Sequence, residues 1–203
     1  MIKCSPLFSV PFIEIEVKED TNELKGCTDI LPSYFDDTSF EETDKTLRVL
    51  ERYPNTKNIL LNYFNEVAYT RFRYKEKFDI STSWITKTTK GNQSDMHLHR
   101  NSFYSAVYYF DEYDEDSASL EFRNPLSKFS SYYLMPLEHN QINSSSVHIK
   151  PRSKLLLFFP SYMEHRVLEH KGSTDRYSLA FNLVPTGRYG SVDSTFDTSW
   201  IDC

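Results

Sequence analysis

Apolar and polar positions alternate with a period of two in FIEIEV and in DISTSWITKTT, and further strand-like runs follow in the second half of the chain. This alternation is typical of strands that bury one face. The predicted strands are FIEIEV (12–17), DISTSWITKTT (79–89), SFYSAVYYF (102–110), SASLEFR (117–123), SVHIKP (146–151), KLLLFFP (154–160) and RYSLAFNLV (176–184). From residue 79 onward, turn residues separate these strands, and no long helical pattern intervenes. We therefore expect a β-sandwich or barrel over about residues 78–185.

Helical spacing is confined to the segment before these strands. In SFEE, Ser39 and Glu42 have the spacing of a capping box, which predicts a helix that continues through Leu50 and ends at Pro54. A second helix is predicted from one apolar face, interpreted as core packing: Ile59, Leu60, Tyr63, Phe64 and Val67. The expected fold is mainly β with N-terminal helices, as a single domain over residues 1–203 with helical support at about 39–75.

Composition and charge narrow the class of protein. Hydrophobic residues make up 39% of the chain, enough for a core, and the net charge is −6, which argues against a broad nucleic-acid-binding face. Cys4, Cys27 and Cys203 follow no disulfide or zinc pattern. No signal-peptide pattern opens the sequence, and the longest apolar run, LLLFF, is too short for a bilayer. We expect a cytoplasmic protein (of the host cell if the source is viral) with no membrane partner. A dimer is compatible with the sequence.

Three histidines carry the candidate chemistry. His97 and His99 lie two positions apart, so on a strand both rings point to one face and can chelate one metal ion. The pair alone is a weak signal, and by itself it favours exposed strand histidines. His165 follows an apolar strand that stops at FFPS, which is a suitable place for a third ligand. The other histidines are interpreted as structural or solvated, and Trp84 is interpreted as a core residue.

A second set of polar residues predicts a site for a carboxylic acid. Arg176, Ser178 and Ala180 share one strand face. A guanidinium can clamp a carboxylate through paired hydrogen bonds, and the hydroxyl of Ser178 can add a third. The phenol of Tyr109 can reach the same carboxylate.

These segments resemble a known family. HLHRNSFYSAVYYF, LLLFFPSYMEHRV and RYSLAFNLV, with SWITKTTKG upstream, are similar to the iron(II)- and 2-oxoglutarate-dependent oxygenases, which fold as a double-stranded β-helix, or jelly roll. The resemblance spans Ser83–Val184. It is closest to uncharacterised prolyl-hydroxylase-like members found in marine microbes and their phages.

The resemblance implies cofactors, a reaction and residue roles. It implies Fe(II) and 2-oxoglutarate, and hydroxylation of a peptide or small molecule with formation of succinate and CO2. His97 and His165 match the metal histidines of the family. Arg176, Ser178 and Tyr109 match the residues that bind the far carboxylate of 2-oxoglutarate.

One position departs from the family pattern, which is HxD or HxE. Here His99 stands in the place of the carboxylate. His99 itself is the favoured third ligand, which would leave the metal one charge unit more positive. Alternatively, Asp95, Glu121 or Glu164 supplies a carboxylate, or the position is left to water.

Two other functions fit the same residues. One is a cupin-like dioxygenase that holds its metal with three histidines and does not use 2-oxoglutarate. The other is a non-catalytic metal-binding β-sandwich. The substrate, peptide or small molecule, is not identified by the sequence, because fold does not determine substrate.

Overall fold

The computed structural model describes residues 5, 9–25, 35–38, 41–44, 47–129, 135–140 and 142–199. The strands in this part are β1 (Ile13–Glu16), β2 (Phe35–Thr38), β3 (Glu41–Asp44), β4 (Phe78–Thr88), β5 (Tyr104–Tyr109), β6 (Leu120–Arg123), β7 (Ser146–Ile149), β8 (Leu155–Pro160), β9 (His165–Val167), β10 (Arg176–Pro185), β11 (Arg188–Tyr189) and β12 (Phe196–Asp197). The α-helix is α1 (Pro54–Thr70), and short 3-10 turns cover Asn22–Leu24, Val49–Arg52, Pro125–Phe129 and Val192–Ser194.

The strands form a major and a minor antiparallel sheet. The major sheet has the order β1-β8-β5-β10-β4-β3-β2, and the minor sheet has the order β7-β6-β9. Strands β11 and β12 pair separately as a small hairpin. The connections from β5 to β6, β7 to β8, β8 to β9 and β9 to β10 each pass from one of these sheets to the other. The fold is the double-stranded β-helix, or jelly roll, that the sequence predicted.

The central strands of the major sheet are buried on both faces. All six residues of β5 and all six of β8 are buried. On β5, Tyr104 and Tyr108 pack toward α1, whereas Val107 and Tyr109 pack toward the minor sheet. Because side chains alternate along a strand, two covered faces require an almost continuous apolar sequence. This explains why LLLFFP shows no alternation.

Helix α1 covers the face of the major sheet that lies away from the minor sheet. Its buried side chains include Leu60 and Phe64, and the Phe64 ring is 4.9 to 5.0 Å, centroid to centroid, from the rings of Tyr104, Phe158 and Phe78. Of the apolar face predicted for this helix, Leu60 and Phe64 are core, Ile59 and Tyr63 pack against the core half-buried, and Val67 is half-buried. The major sheet thus separates two apolar clusters, one under α1 and one between the sheets.

The helix predicted to open at Ser39 is wrong. Residues Glu41–Asp44 form β3, which pairs with β2 and β4, and only a 3-10 turn follows at Val49–Arg52. Pro54 begins α1 instead of ending a helix, since its missing N–H costs nothing in the first turn. A capping box is a local pattern, so it could not indicate that this segment pairs with β4, which is distant in the sequence.

The expected bounds of the β region are close to those observed, because β4 begins at Phe78 and β10 ends at Pro185. All three cysteines lie outside the described residues, so the expectation about disulfides stays a prediction. In the part of the chain that is described, no helix is long and apolar enough to cross a membrane.

Candidate active site

The three histidines singled out in the sequence converge. The ligating nitrogens of His97, His99 and His165 all lie within 4.8 Å of one another. Ring centroids are separated by 4.5 Å between His97 and His165, 5.1 Å between His99 and His165, and 5.2 Å between His97 and His99. Among the described residues, this is the one group of three or more metal-ligating side chains.

The backbone around His97 differs from the expected strand. Residues 97 and 165 form an isolated antiparallel bridge, and His99 lies in an extended loop whose N–H donates to the carbonyl of Ser161 at 3.0 Å. His97 and His99 nevertheless bring their rings together. His165 begins β9, a short strand that the sequence did not reveal, and the bridge places it directly opposite His97.

Hydrogen bonds fix the orientation of two of the rings. The Nδ1 of His97 is 2.7 Å from the carbonyl oxygen of Asp95, and the Nδ1 of His165 is 2.8 Å from that of Met163. A carbonyl oxygen only accepts, so each Nδ1 carries the proton and donates it. In the neutral ring this tautomer leaves Nε2 with a free lone pair, which is the form of imidazole that binds a metal.

Burial keeps two of the rings neutral. Desolvation, followed by the proximity of His97, lowers the pKa of His99 to about 4. The same two causes, desolvation first, lower the pKa of His165 to about 3, although its bond to Met163 acts in the opposite direction. Both rings are therefore unprotonated at neutral pH, as metal ligation requires.

Arg176 is a buried cation beside this cluster, with only 1% of its surface exposed. Its Nε donates to the carbonyl of Ala118 at 3.1 Å, and its two terminal nitrogens donate to Ser178 Oγ at 3.4 Å and to Tyr109 Oη at 3.3 Å. These partners are all neutral. No carboxylate among the described residues forms an ion pair with Arg176, so this part of the chain supplies no counter-ion for the buried charge.

The position of Arg176 is supported from behind by His170, which is fully buried. The Nδ1 of His170 accepts the N–H of Ala118 at 3.2 Å, and its Nε2 donates to the carbonyl of Thr174 at 2.7 Å. Ala118 therefore links the imidazole to the guanidinium through its own backbone. The interpretation of His170 as structural is consistent with these contacts, although the sequence did not indicate the link.

One cavity of about 300 Å³ joins the histidines to the arginine. His97, His99 and His165 line it together with Arg176 and Ser178. Further lining residues are Thr86, Ser94, Asp95, Leu120, Phe159, Val167 and Ala180. A cavity of this size accommodates a small dicarboxylic acid between the two groups.

Trp84 was assigned to the core from the sequence, but its indole lines this cavity. It lies 5.5 Å, centroid to centroid, from the ring of His99. The register of β4 against β10 pairs Trp84 with Ala180, which was itself expected on the site face. That shared face was the signal that could have identified Trp84.

Two of the alternative carboxylate ligands are engaged elsewhere. Glu121 lies 2.6 Å from the Nε of Arg166 and 3.3 Å from His148. Burial alone would raise the pKa of Glu121, but these hydrogen bonds lower it below its ordinary value. Glu164 pairs with Arg123 at 3.3 Å. Asp95 lines the cavity, yet it is exposed and is not part of the histidine group.

Solved structures of low sequence identity share this fold. They include a 2OG-Fe(II) oxygenase family oxidoreductase from Burkholderia pseudomallei (TM-score 0.59, 14% identity, covering 85% of this chain and 83% of that one). HygX from Streptomyces hygroscopicus, with nickel, 2-oxoglutarate and hygromycin B bound, has a TM-score of 0.57 at 13% identity (87% and 84% covered). A prolyl hydroxylase from Trichoplax adhaerens, in complex with a hypoxia inducible factor peptide fragment, has the same TM-score and identity (85% and 82%).

A jelly roll that gathers three imidazoles and a buried arginine in one cavity has the form of a metal-dependent oxidoreductase. The sequence profile of the family described as "Putative 2OG-Fe(II) oxygenase" matches residues 82–182, about half of the chain. The chain therefore belongs to the superfamily of iron(II)- and 2-oxoglutarate-dependent oxygenases. No match is found among curated protein sequences.

Proposed function

We propose that this chain is a dioxygenase that uses Fe(II) and 2-oxoglutarate to hydroxylate a peptide or small molecule, with formation of succinate and CO2. The observation that carries the proposal is the buried Arg176, whose described partners are all neutral, in one cavity with the three histidines. A buried cation is costly unless an anion compensates it. 2-Oxoglutarate is a dianion whose keto-acid end binds a metal and whose other carboxylate is free to meet a guanidinium.

Each residue of the site has a role in this proposal. His97, His99 and His165 hold the iron through Nε2, and the carbonyls behind His97 and His165 keep those rings in place. Arg176, Ser178 and Tyr109 hold the far carboxylate of 2-oxoglutarate. When bound, iron and 2-oxoglutarate supply the oxidation of a C–H bond by O2. The protein binds, orients and excludes water.

His99 is the proposed third ligand, in place of the carboxylate usual in the family. Its nitrogen already lies within 4.8 Å of the other two ligating nitrogens, and its ring is neutral at pH 7. Glu121 and Glu164 are paired with arginines. Asp95 is the remaining one of the three alternative carboxylates, and it lines the cavity. Metal titration of His99→Ala and of Asp95→Ala shows which of the two residues is the ligand.

The direct test is to incubate the iron-loaded protein with 2-oxoglutarate under air and to follow succinate. Succinate should form only when 2-oxoglutarate is present. Arg176→Ala should abolish binding of 2-oxoglutarate, whereas Arg152→Ala, at an exposed arginine paired with Glu14, should not change it. Unchanged co-substrate binding in Arg176→Ala would contradict the role given to Arg176.

A three-histidine dioxygenase that does not use 2-oxoglutarate is the second candidate, because the ligand set itself favours it. In that case Arg176 would bind the carboxylate of the substrate, and oxygen would be consumed without succinate. A non-catalytic metal-binding sandwich would consume no oxygen, whether or not 2-oxoglutarate is added. Succinate that forms only when 2-oxoglutarate is added therefore separates the proposed function from both alternatives.

A further inference from the structure

A second cavity, of about 750 Å³, begins at the histidine cluster. His99 lines both cavities, so a ligand in the second one lies next to the proposed metal position. We call this second cavity the rim groove. Its principal lining side chains are Tyr74, His99, Arg100, Phe103, Tyr104 and Tyr162.

Aromatic rings form the walls of the rim groove and remain largely uncovered. Phe103 is 48% exposed, Tyr162 is 56% exposed and Tyr74 is 39% exposed. Tyr104 is buried beneath them, with its hydroxyl 3.1 Å from that of Tyr74. Exposed rings gathered at a concave site favour the binding of a flat apolar group, because ring faces stack or pack edge to face.

The charge of the rim groove is opposite to that of the whole chain. The net charge of the chain is −6, yet no Asp or Glu is among the described residues that line the groove. Arg100, directly after His99, is exposed and forms no ion pair with any residue that the structure describes. An unneutralised guanidinium at an aromatic groove is a site for a carboxylate.

The wall that carries Arg100 is held in place before any ligand arrives. Ser161 Oγ hydrogen-bonds to Ser102 at 2.9 Å and to Ser105 at 2.8 Å, and Ser105 donates to Asn182 at 2.8 Å. Asn101 turns the chain with a φ of 62°, a conformation that asparagine tolerates. A preformed wall lowers the entropic cost of binding.

We propose that the rim groove binds the substrate, and that the substrate joins a flat apolar ring to a carboxylate. The ring packs against the exposed aromatic walls, and the carboxylate pairs with Arg100. The end of the ligand nearest His99 is then presented to the metal. The inference rests on the proposed function in one respect only, which is that the occupant of the groove is the molecule oxidised.

The test measures binding to protein loaded with Mn(II) and saturated with 2-oxoglutarate, which occupies Arg176. The probes are N-acetyl-L-phenylalanine, its neutral amide, and the blocked dipeptide acetyl-phenylalanyl-aspartyl-amide, each titrated by calorimetry. The acid should bind about tenfold more tightly than the amide, because one charged hydrogen-bonded pair is gained. The dipeptide shows whether the carboxylate belongs to a free ring acid or to a peptide.

Variants locate the site. Arg100→Gln should bring the affinity for the acid down to that for the amide, whereas the matched variant Arg152→Gln should leave the difference intact. Tyr162→Ala should weaken binding of acid and amide by a similar factor. The proposal is overturned if acid and amide bind equally, or if Arg100→Gln and Arg152→Gln behave alike. Failure of the proposed function would show separately, as absence of 2-oxoglutarate binding to the same Mn(II)-loaded protein.

Discussion

The peptide groups of His97 and His165 are hydrogen-bonded to each other in both directions. The N–H of His97 donates to the carbonyl of His165 at 3.0 Å, and the N–H of His165 donates to the carbonyl of His97 at 2.9 Å. Strands β5 to β8 separate the two residues along the chain. The backbone pairing of the fold therefore brings these two rings together.

Replacing His99 tests the ligand set. We expect His99→Asp to retain the metal and bind it at least as tightly as the unchanged protein, because it creates two histidines and one carboxylate. His99→Ala should weaken Mn(II) binding by about tenfold or more, since one of three protein ligands is lost. Metal titration followed by calorimetry measures both. Asp95→Ala is the control, and a larger loss there than in His99→Ala would identify Asp95 as the ligand.

Arg176→Met separates co-substrate binding from stability. The affinity for 2-oxoglutarate should fall about 100-fold or more, because two or more charge-assisted hydrogen bonds are lost. The ligand-free protein should not be destabilised, and a gain of about 1 kcal/mol is expected, because an uncompensated buried charge is removed. Thermal unfolding with Mn(II), with and without 2-oxoglutarate, measures both effects.

Tyr109→Phe is the matched variant for that experiment. It keeps the cation and the ring but removes the hydroxyl that accepts from Arg176 at 3.3 Å. The affinity for 2-oxoglutarate should fall by about tenfold at most. If Tyr109→Phe lost as much affinity for 2-oxoglutarate as Arg176→Met, the charge of Arg176 would not be the main cause of 2-oxoglutarate binding.

The metal-free protein should lose stability as the pH falls below 6.5. His99 and His165 have folded pKa values of about 4 and about 3, below the ordinary 6.5. Between these values the unfolded chain takes up protons that the folded chain does not, so the free energy of unfolding decreases toward low pH. Each group adds a slope of up to about 1.4 kcal/mol per pH unit.

Urea unfolding from pH 7.5 to 4.5, in the presence of a chelator, measures this slope. His165→Gln should show a shallower dependence, because its amide does not titrate. His148→Gln, at an exposed histidine, serves as the control. An equal slope in all three proteins would contradict the assignment of the lowered pKa to the buried rings.

His170→Ala should reduce both stability and co-substrate affinity. The buried N–H of Ala118 would lose its acceptor, at a cost of about 2 to 3 kcal/mol. The carbonyl of the same residue accepts from Arg176, so its displacement should weaken 2-oxoglutarate binding several-fold without changing metal affinity. His148→Ala is the matched control. Destabilisation with unchanged 2-oxoglutarate affinity would limit His170 to a structural role.

Much of the fold was predictable because its signals are local. The strands from β4 to β10, except β9, were indicated by apolar runs and turn residues. Strand β9 was missed because a segment of three residues is too short to show a period, and its extended form depends on pairing with β6 and with His97. Likewise the sequence predicted a helix where β3 lies, because β3 is stabilised by pairing with β4, and its own residues give no sign of that pairing.

The side chains of the candidate site could be predicted from the sequence, but the hydrogen bonds that hold those side chains in place could not. His97, His165 and Arg176 were found by residue type and spacing. The link from His170 through Ala118 to Arg176 was not found, because it runs through a backbone N–H and carbonyl that have no residue-type signature. The placement of the chain in the marine and phage branch stays a prediction, as do its single-domain organisation and its oligomeric state.

The major sheet divides the interior into a half under α1 and a half that faces the minor sheet. In the first half, Phe64 of α1 packs against Tyr104 and Phe158, and Tyr104 also lines the rim groove. Repacking of the core beneath α1 is therefore expected to reach the proposed substrate surface through the ring of Tyr104. Arg176 contacts Tyr109 and Ala118 of the second half instead, so the same repacking should leave the proposed co-substrate pocket unchanged.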